Sequence, residues 1–321
     1  MSDNEKSSGD ISPLAKRRDP RPLVRDDPIR AVLWITAAMA LFAILAAASR
    51  KAALMGMHPL QVVFLRNLSA TIFLMPMLMV RGRSLLRSNA IHLYGVRVGI
   101  SIFSMTAWFY ALALIPVAEV TAIGFLAPLF GTLGAIVFLG EKVRVRRWTA
   151  LIVGFLGAMI ILRPGSEPIG LGQAFAIFNA MSAGLMTVLL KQLASEDDSG
   201  KIVFLTTILM LPPTLIPALF VWQNPGWEYL PVVLTIGLTA VVGHYCLMRG
   251  FASTEASLVM TFDFSRLPFA VLIGWWMFGE LTDIWTWVGA AIIFASAIYI
   301  TRREAKLRSQ ARLEKLAKKG E

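Results

Sequence analysis

The sequence is poor in the residues on which most soluble chemistry depends. One cysteine in 321 residues, Cys246, excludes an intrachain disulfide and any thiolate cluster. The three histidines, His58, His92 and His244, stand far apart with no HExxH or comparable spacing, so no metal site is expected. No Walker motif is present, and the polar, proline-containing residues 1–29 lack the apolar run of a signal peptide. Charge is also scarce, at 16% of residues, against about 25% in an ordinary soluble domain. What fills the chain instead is apolar: 56% hydrophobic residues and a mean hydropathy of +0.65. That balance points to a bilayer as solvent.

The net charge of +11 does not form a nucleic-acid face, because the basic residues crowd the two tails and alternate loops. Nucleic acid is therefore not an expected partner. Residues 1–29 read as a disordered cytoplasmic tail. Residues 302–321 (RREAKLRSQARLEKLAKKGE) read as a basic cytoplasmic tail, either solvated or lying as a helix on an anionic leaflet.

Between the tails, apolar runs long enough to cross a bilayer fall near 30–48, 59–80, 92–113, 118–138, 147–163, 170–190, 202–221, 229–250, 256–278 and 283–301. Turn-forming stretches separate them, among them Gly56 to Pro59, Arg163-Pro-Gly165 and Asn224-Pro-Gly226. With both termini inside, 25 of the 31 Lys and Arg residues fall in cytoplasmic segments and three outside (Arg50, Lys51, Arg163). Arg66, Arg97 and Arg266 remain within spans. The positive-inside asymmetry therefore predicts an even number of crossings.

The chain also repeats itself. Residues 118–163 and 254–302 align with Glu119 on Glu255, Pro128 on Pro268, Gly140-Glu141 on Gly279-Glu280 and Trp148 on Trp287. Lys142, Arg144, Arg146 and Arg147 follow the first Gly-Glu pair, whereas Asp283 follows the second. Opposite flanking charge and five spans per copy predict two repeats of inverted orientation, 30–163 and 168–301, an arrangement built for secondary transport. The fold class expected is all-α integral membrane, with ten transmembrane helices in two inverted five-helix units.

The duplicated unit, a leucine-rich helix, then Gly-Glu, then a Trp- and Gly-rich helix, resembles the EamA unit of the drug/metabolite transporter superfamily. The resemblance covers both halves. It implies a carrier of small organic molecules in a bacterial inner membrane, with a central cavity lined mainly by the third, fourth, eighth and ninth helices. The stretch from Phe262 to Pro268, leading into Gly274 to Glu280, is similar to the branch containing bacterial riboflavin and S-adenosylmethionine uptake carriers. Amino-acid exporters of the same family share much of this text, so export stays open.

Ionisable groups inside hydrocarbon mark functional candidates. Asp263 and Arg266 share a helix face. They read as a mutual ion pair, as a substrate anchor through Arg266, or as a proton-coupling carboxylate at Asp263. Glu119 and Glu255 occupy matched helix starts, where capping or gating explains them. Arg66 is expected to snorkel outward and Arg97 and Arg249 to anchor topology, while Glu141 and Glu280 close helix-end contacts. Trp108, Phe109 and Tyr110 align with His244, Tyr245 and Cys246. This matched set makes Trp108, Tyr110, His244 and Tyr245 candidate cavity residues that stack on a planar ring, with Phe125 and Asn179 beside them. Gly154, Gly157, Gly289 and Ala290 permit close helix packing, within the bundle or across a homodimer seam. Pro128 and Pro268 are candidate hinges.

Rival classes fit less well. A membrane-embedded enzyme needs a nucleophile with a base, a metal cluster or paired acids, and a channel needs rings of charge or carbonyl-rich loops. None is visible in the sequence. A non-transporting scaffold lacks an appended soluble domain to explain it. No catalytic residue and no cofactor is expected, and the partners are a small-molecule substrate and the lipid bilayer.

Overall fold

The computed structural model describes residues 28–86, 88, 90–127, 129–131, 133–134, 145–162, 169–253, 265–296 and 298–299. Among the described residues there is no β-strand. The helices are α1 (Pro28–Leu54), α2 (Pro59–Arg81), α3 (Ile91–Leu114), α4 (Val117–Gly124), α5 (Val145–Leu162), α6 (Leu171–Glu196), α7 (Ser199–Phe220), α8 (Leu230–Ser253), α9 (Arg266–Phe278) and α10 (Ile284–Ser296). Five are long and apolar enough to cross a membrane: Arg30–Leu54, Pro59–Arg81, Ile91–Leu114, Gly200–Phe220 and Trp227–Gly250. The others carry shorter apolar stretches, among them Ile152–Leu162, Leu171–Met186, Arg266–Phe278 and Ile284–Ser296.

Local chemistry sets the ends of these helices. Pro59 opens α2 behind His58, whose Nδ1 accepts from the Leu60 amide at 3.3 Å. Asp198 caps α7 by accepting from the Gly200 and Lys201 amides. Gly279 ends α9 in the left-handed region at φ 67°, with the Glu280 amide donating back to the Gly274 carbonyl at 3.3 Å. Glycine alone adopts that turn without a Cβ penalty, which explains a Gly-Glu pair at this helix end.

The helices run between two ends, named here by a residue at each. At the Glu280 end lie the close of α1, the α3–α4 turn and the start of α6. At the Asp197 end lie the close of α2, the start of α3 and the α6–α7 turn. Helix α1 packs chiefly on α8, and α3 on α6. The main apolar core gathers Ala111, Val117, Ile123, Phe125, Leu129, Ile161, Ala180, Leu267 and Ile293 around the middle of the chain's two halves. Tryptophans 222, 227, 275, 276 and 285 are exposed. They fall on end turns or linkers towards the Glu280 end, where a membrane interface accepts indoles.

The small-residue stripe is resolved as packing within the bundle. A Cβ on Gly157 would sit 2.8 Å from the Gly289 carbonyl oxygen, and one on Gly289 would sit 2.5 Å from that of Gly157. Helices α5 and α10 therefore meet backbone to backbone at these two residues.

Candidate functional site

The sequence predicts a fourth span over 118–138 kinked by Pro128, and the structure breaks the helix ahead of that proline. Helix α4 stops at Gly124, turns at Phe125 and Leu126, and helical residues resume at Ala127. The covalent reason lies four residues on: Pro128 has no N–H to give the Gly124 carbonyl. Helix α9 opens at Arg266 behind Ser265, three residues before Pro268, as Phe125 stands three before Pro128. These two points meet. The Arg266 guanidinium lies over the Phe125 ring, 5.9 Å from its centroid, and beside Gly124 at the end of α4. A cation is favoured both over an aromatic face and at a helix C-terminus. Arg266 Nε and Ser265 Oγ are buried and, among the described residues, without a hydrogen-bond partner.

A second polar group forms where α2, α3 and α8 approach. Arg66 Nη1 donates to Asn67 Oδ1 at 2.9 Å and reaches the Met105 sulfur at 3.9 Å, and the fully buried Asn67 also donates to that sulfur. Arg66 therefore turns into the bundle, contrary to the outward snorkelling expected of it. Arg97 departs from its expected role as a topology anchor in the same way. Its Nε and Nη1 are buried with no partner among the described residues. His244 packs edge-on against Phe42, and its Nδ1 bonds the Ala240 carbonyl at 2.7 Å. One turn along α3 from Met105, Trp108 bridges the main core and the smaller core of α1, α2 and α8. Asn179 on α6 donates to the Ser104 carbonyl and hydroxyl at 2.9 and 3.0 Å.

The remaining candidates are dispersed. Tyr110 stacks on Phe175 at 5.1 Å and faces His58 Nε2 at 3.5 Å, on the Glu280 side of the polar group. Tyr245 is half-exposed; it packs edge-on against Trp34 and accepts from Arg249 Nε at 2.9 Å, so it does not join His244. Glu119 lies in the first turn of α4 and accepts from Gln173 Nε2 at 3.0 Å, tying α4 to α6. Asp263, Glu255, Glu141 and Pro128 lie outside the described residues.

Each end of the bundle is closed by charged groups. At one, Arg50 pairs with Glu280 and donates to the Leu112 and Ile115 carbonyls at 2.8 and 2.6 Å, while Glu280 accepts from the Val117 amide at 3.2 Å. At the other, Asp197 accepts from Ser88 and, at 3.0 Å, from the Tyr94 hydroxyl; it pairs with Lys201 at 2.6 Å. Asp198 pairs there with Arg81 at 3.0 Å. Burial raises the Asp197 carboxyl, but the donors from Lys201, Ser88 and Tyr94 outweigh it and hold the group below the usual carboxylate range.

A helical bundle of apolar crossings, with a helix break faced by a buried arginine, defines a multi-pass membrane carrier. The chain belongs to the EamA-like transporter family, which it matches over residues 29–163 and again over 170–302. It is 31% identical to a riboflavin transporter of Vibrio cholerae over 88% of this chain and 96% of that one. It is 26% identical to an S-adenosylmethionine uptake transporter of Rickettsia bellii, over 79% of this chain and 87% of the relative. A solved crystal structure superposes with a TM-score of 0.58, at 19% identity, over 85% of this chain and 98% of that chain, a likeness of fold. The protein is thus a transporter of small molecules and not an enzyme.

Proposed function

We propose that the protein is a secondary transporter that takes a small organic metabolite into the cell across the bacterial inner membrane by alternating access. Riboflavin and S-adenosylmethionine are the two candidate substrates. Two inverted five-helix repeats, with both termini cytoplasmic, rock about a central site. One observation carries this reading: Arg266 lies over Phe125 where α4 stops and α9 starts, with Phe125 and Ser265 each three residues before one of the matched prolines. Interrupted helices at a repeat interface expose backbone groups that only a cavity or its ligand can satisfy. Trp108, Phe125 and His244 line the site in this reading, with Tyr110 towards the Glu280 end. Asp263, three residues before Arg266, is the candidate coupling carboxylate. Glu119 gates through its bond to Gln173, and Glu255 is its counterpart in the second repeat.

Growth tests the proposal. A riboflavin-auxotrophic bacterium lacking its own uptake system is given this chain, and growth on limiting riboflavin is scored beside accumulation of labelled S-adenosylmethionine. Uptake of either compound supports the proposal. Faster loss of label from preloaded cells, with no uptake of either, makes the protein an exporter instead.

A further inference from the structure

Helices α2 and α7 open alike in the two halves of the chain. Gln61-Val-Val-Phe-Leu65 reads like Lys201-Ile-Val-Phe-Leu205, and the residue before each helix caps it. His58 accepts from the Leu60 amide, and Asp198 from the Gly200 and Lys201 amides. The α1–α2 and α6–α7 turns are thus counterparts, yet they stand at opposite ends of the bundle. At the Glu280 end, Gln61 donates to the Gln223 carbonyl at 2.7 Å and Arg50, near the close of α1, meets Glu280. At the other end, the α6–α7 turn supplies Asp197 and Asp198.

Each closure joins one half of the chain to the other, and its charges also hold partners within their own half. Arg50 donates to the Leu112 and Ile115 carbonyls of the first half, where a cation suits the C-terminus of α3. It reaches across to Glu280 and lies over the Phe278 ring of the second half, 5.8 Å from its centroid. Asp197 keeps Lys201 in the second half and reaches across to Ser88 and Tyr94. Asp198 keeps the amides at the start of α7 and reaches across to Arg81. Beneath these groups, Ala90 and Tyr94 of the first half pack with Leu193, Ile202 and Leu205 of the second.

Stripping a buried charge of every partner is costly. Arg50, Asp197 and Asp198 avoid that cost, because each retains its own-half partners when the halves part. Glu280 leaves Arg50 and the Val117 amide together, and at a helix end water takes their place. The contacts across the seam are therefore suited to being broken and remade.

On the transport reading above, we infer that the two closures are the gates of alternating access. The Arg50–Glu280 contact shuts one end, and the contacts of Asp197 and Asp198 with Ser88, Tyr94 and Arg81 shut the other. The structure, with both closed, is the occluded state, and each gate opens while the other stays shut.

Reporter cysteines in the detergent-purified full chain test this, in a Cys246→Ala background. Val117→Cys reports the Glu280 end and Ala90→Cys the Asp197 end, both positions being buried here. The readout is the rate of reaction with a small charged maleimide. Glu280→Gln is expected to speed labelling at Val117→Cys roughly ten-fold without speeding it at Ala90→Cys. Ser88→Ala with Tyr94→Phe removes only hydroxyls, leaves Lys201 on Asp197, and is expected to do the reverse. Should Glu280→Gln lose its single size-exclusion peak, Glu280→Asp takes its place with the same direction expected.

The two openings draw on one population. In a chain with both ends weakened, each reporter is therefore expected to label more slowly than where its own end alone is weakened. Equal rates mean independent local fraying and overturn the inference, as does acceleration of both reporters by either change or of neither. None of these results requires a substrate, so they leave the carrier reading in place. That reading falls separately, if the unaltered chain gives neither uptake nor loss of label in cells.

Discussion

Arg50, near the end of α1, is ion-paired with Glu280, two residues beyond α9, and the two side chains are each only 13% exposed. The pair gathers three distant parts of the chain, because Arg50 also holds the Leu112 and Ile115 carbonyls and Glu280 the Val117 amide. The sequence expectation placed Arg50 outside as a topology residue and gave Glu280 a helix-end contact. The structure joins them into one closure at that end of the bundle.

Removing one member of this pair leaves the other charge buried without its partner. Glu280→Gln or Arg50→Gln is expected to destabilise the protein by about 3–5 kcal/mol, read as a fall in Tm in detergent. The double variant is expected to lose less than the sum of the singles, since the stranded charge is removed with its partner. Strict additivity in the double-mutant cycle would show that the two groups do not interact.

The Asp197 closure at the other end is expected to depend on pH. Its carboxyl is held below the ordinary carboxylate range in the folded protein. The stabilisation is therefore complete above the unfolded value of about 3.9 and is lost as pH falls through the lower folded value. Thermal melts of the parent and Asp197→Asn are expected to differ at pH 7 and to converge under acid. A difference that grows as the pH falls has the wrong sign for this account.

The contact between α5 and α10 makes a steric prediction. Gly157→Ala places a methyl 2.8 Å from the Gly289 oxygen, and it is expected to cost about 1–3 kcal/mol by forcing the helices apart. Gly95→Ala is the control, because nothing lies within 4 Å of a Cβ there. It is expected to be neutral or to stabilise by about 0.5–1 kcal/mol through helix propensity. Equal effects at both positions would place the small-residue stripe away from the helix contact.

Pro128 and Pro268 are expected to act as hinges if the helix interruptions move during transport. Pro128→Ala with Pro268→Ala restores two backbone donors and is expected to lower the transport rate while leaving the folded yield unchanged. An unchanged rate removes the hinge.

Much of the architecture is legible in the sequence, because each crossing must be about 20 apolar residues long and its flanking charge reports the side on which it ends. The apolar text does not say how each helix is rotated. Arg66 and Arg97 are therefore read from sequence as snorkelling or anchoring residues, whereas packing turns both inward. His244 and Tyr245 are neighbours in sequence but point about 100° apart around α8; one faces Phe42, the other Trp34 and Arg249. Pro128 marks a kink in the fourth span already in the sequence, though not that the turn falls at Phe125, three residues before it. Hydropathy alone reads the same stretch as one continuous span.

The central claim is that substrate crosses the membrane at the meeting of Phe125 and Arg266. Its most direct test is counterflow of labelled riboflavin in proteoliposomes preloaded with unlabelled riboflavin, comparing the parent chain with Arg266→Ala and Phe125→Leu. The account predicts saturable exchange by the parent, a loss of roughly ten-fold or more for Arg266→Ala and a smaller loss for Phe125→Leu, with all three equally incorporated. Full exchange by Arg266→Ala would contradict it and move the site away from the interrupted helices.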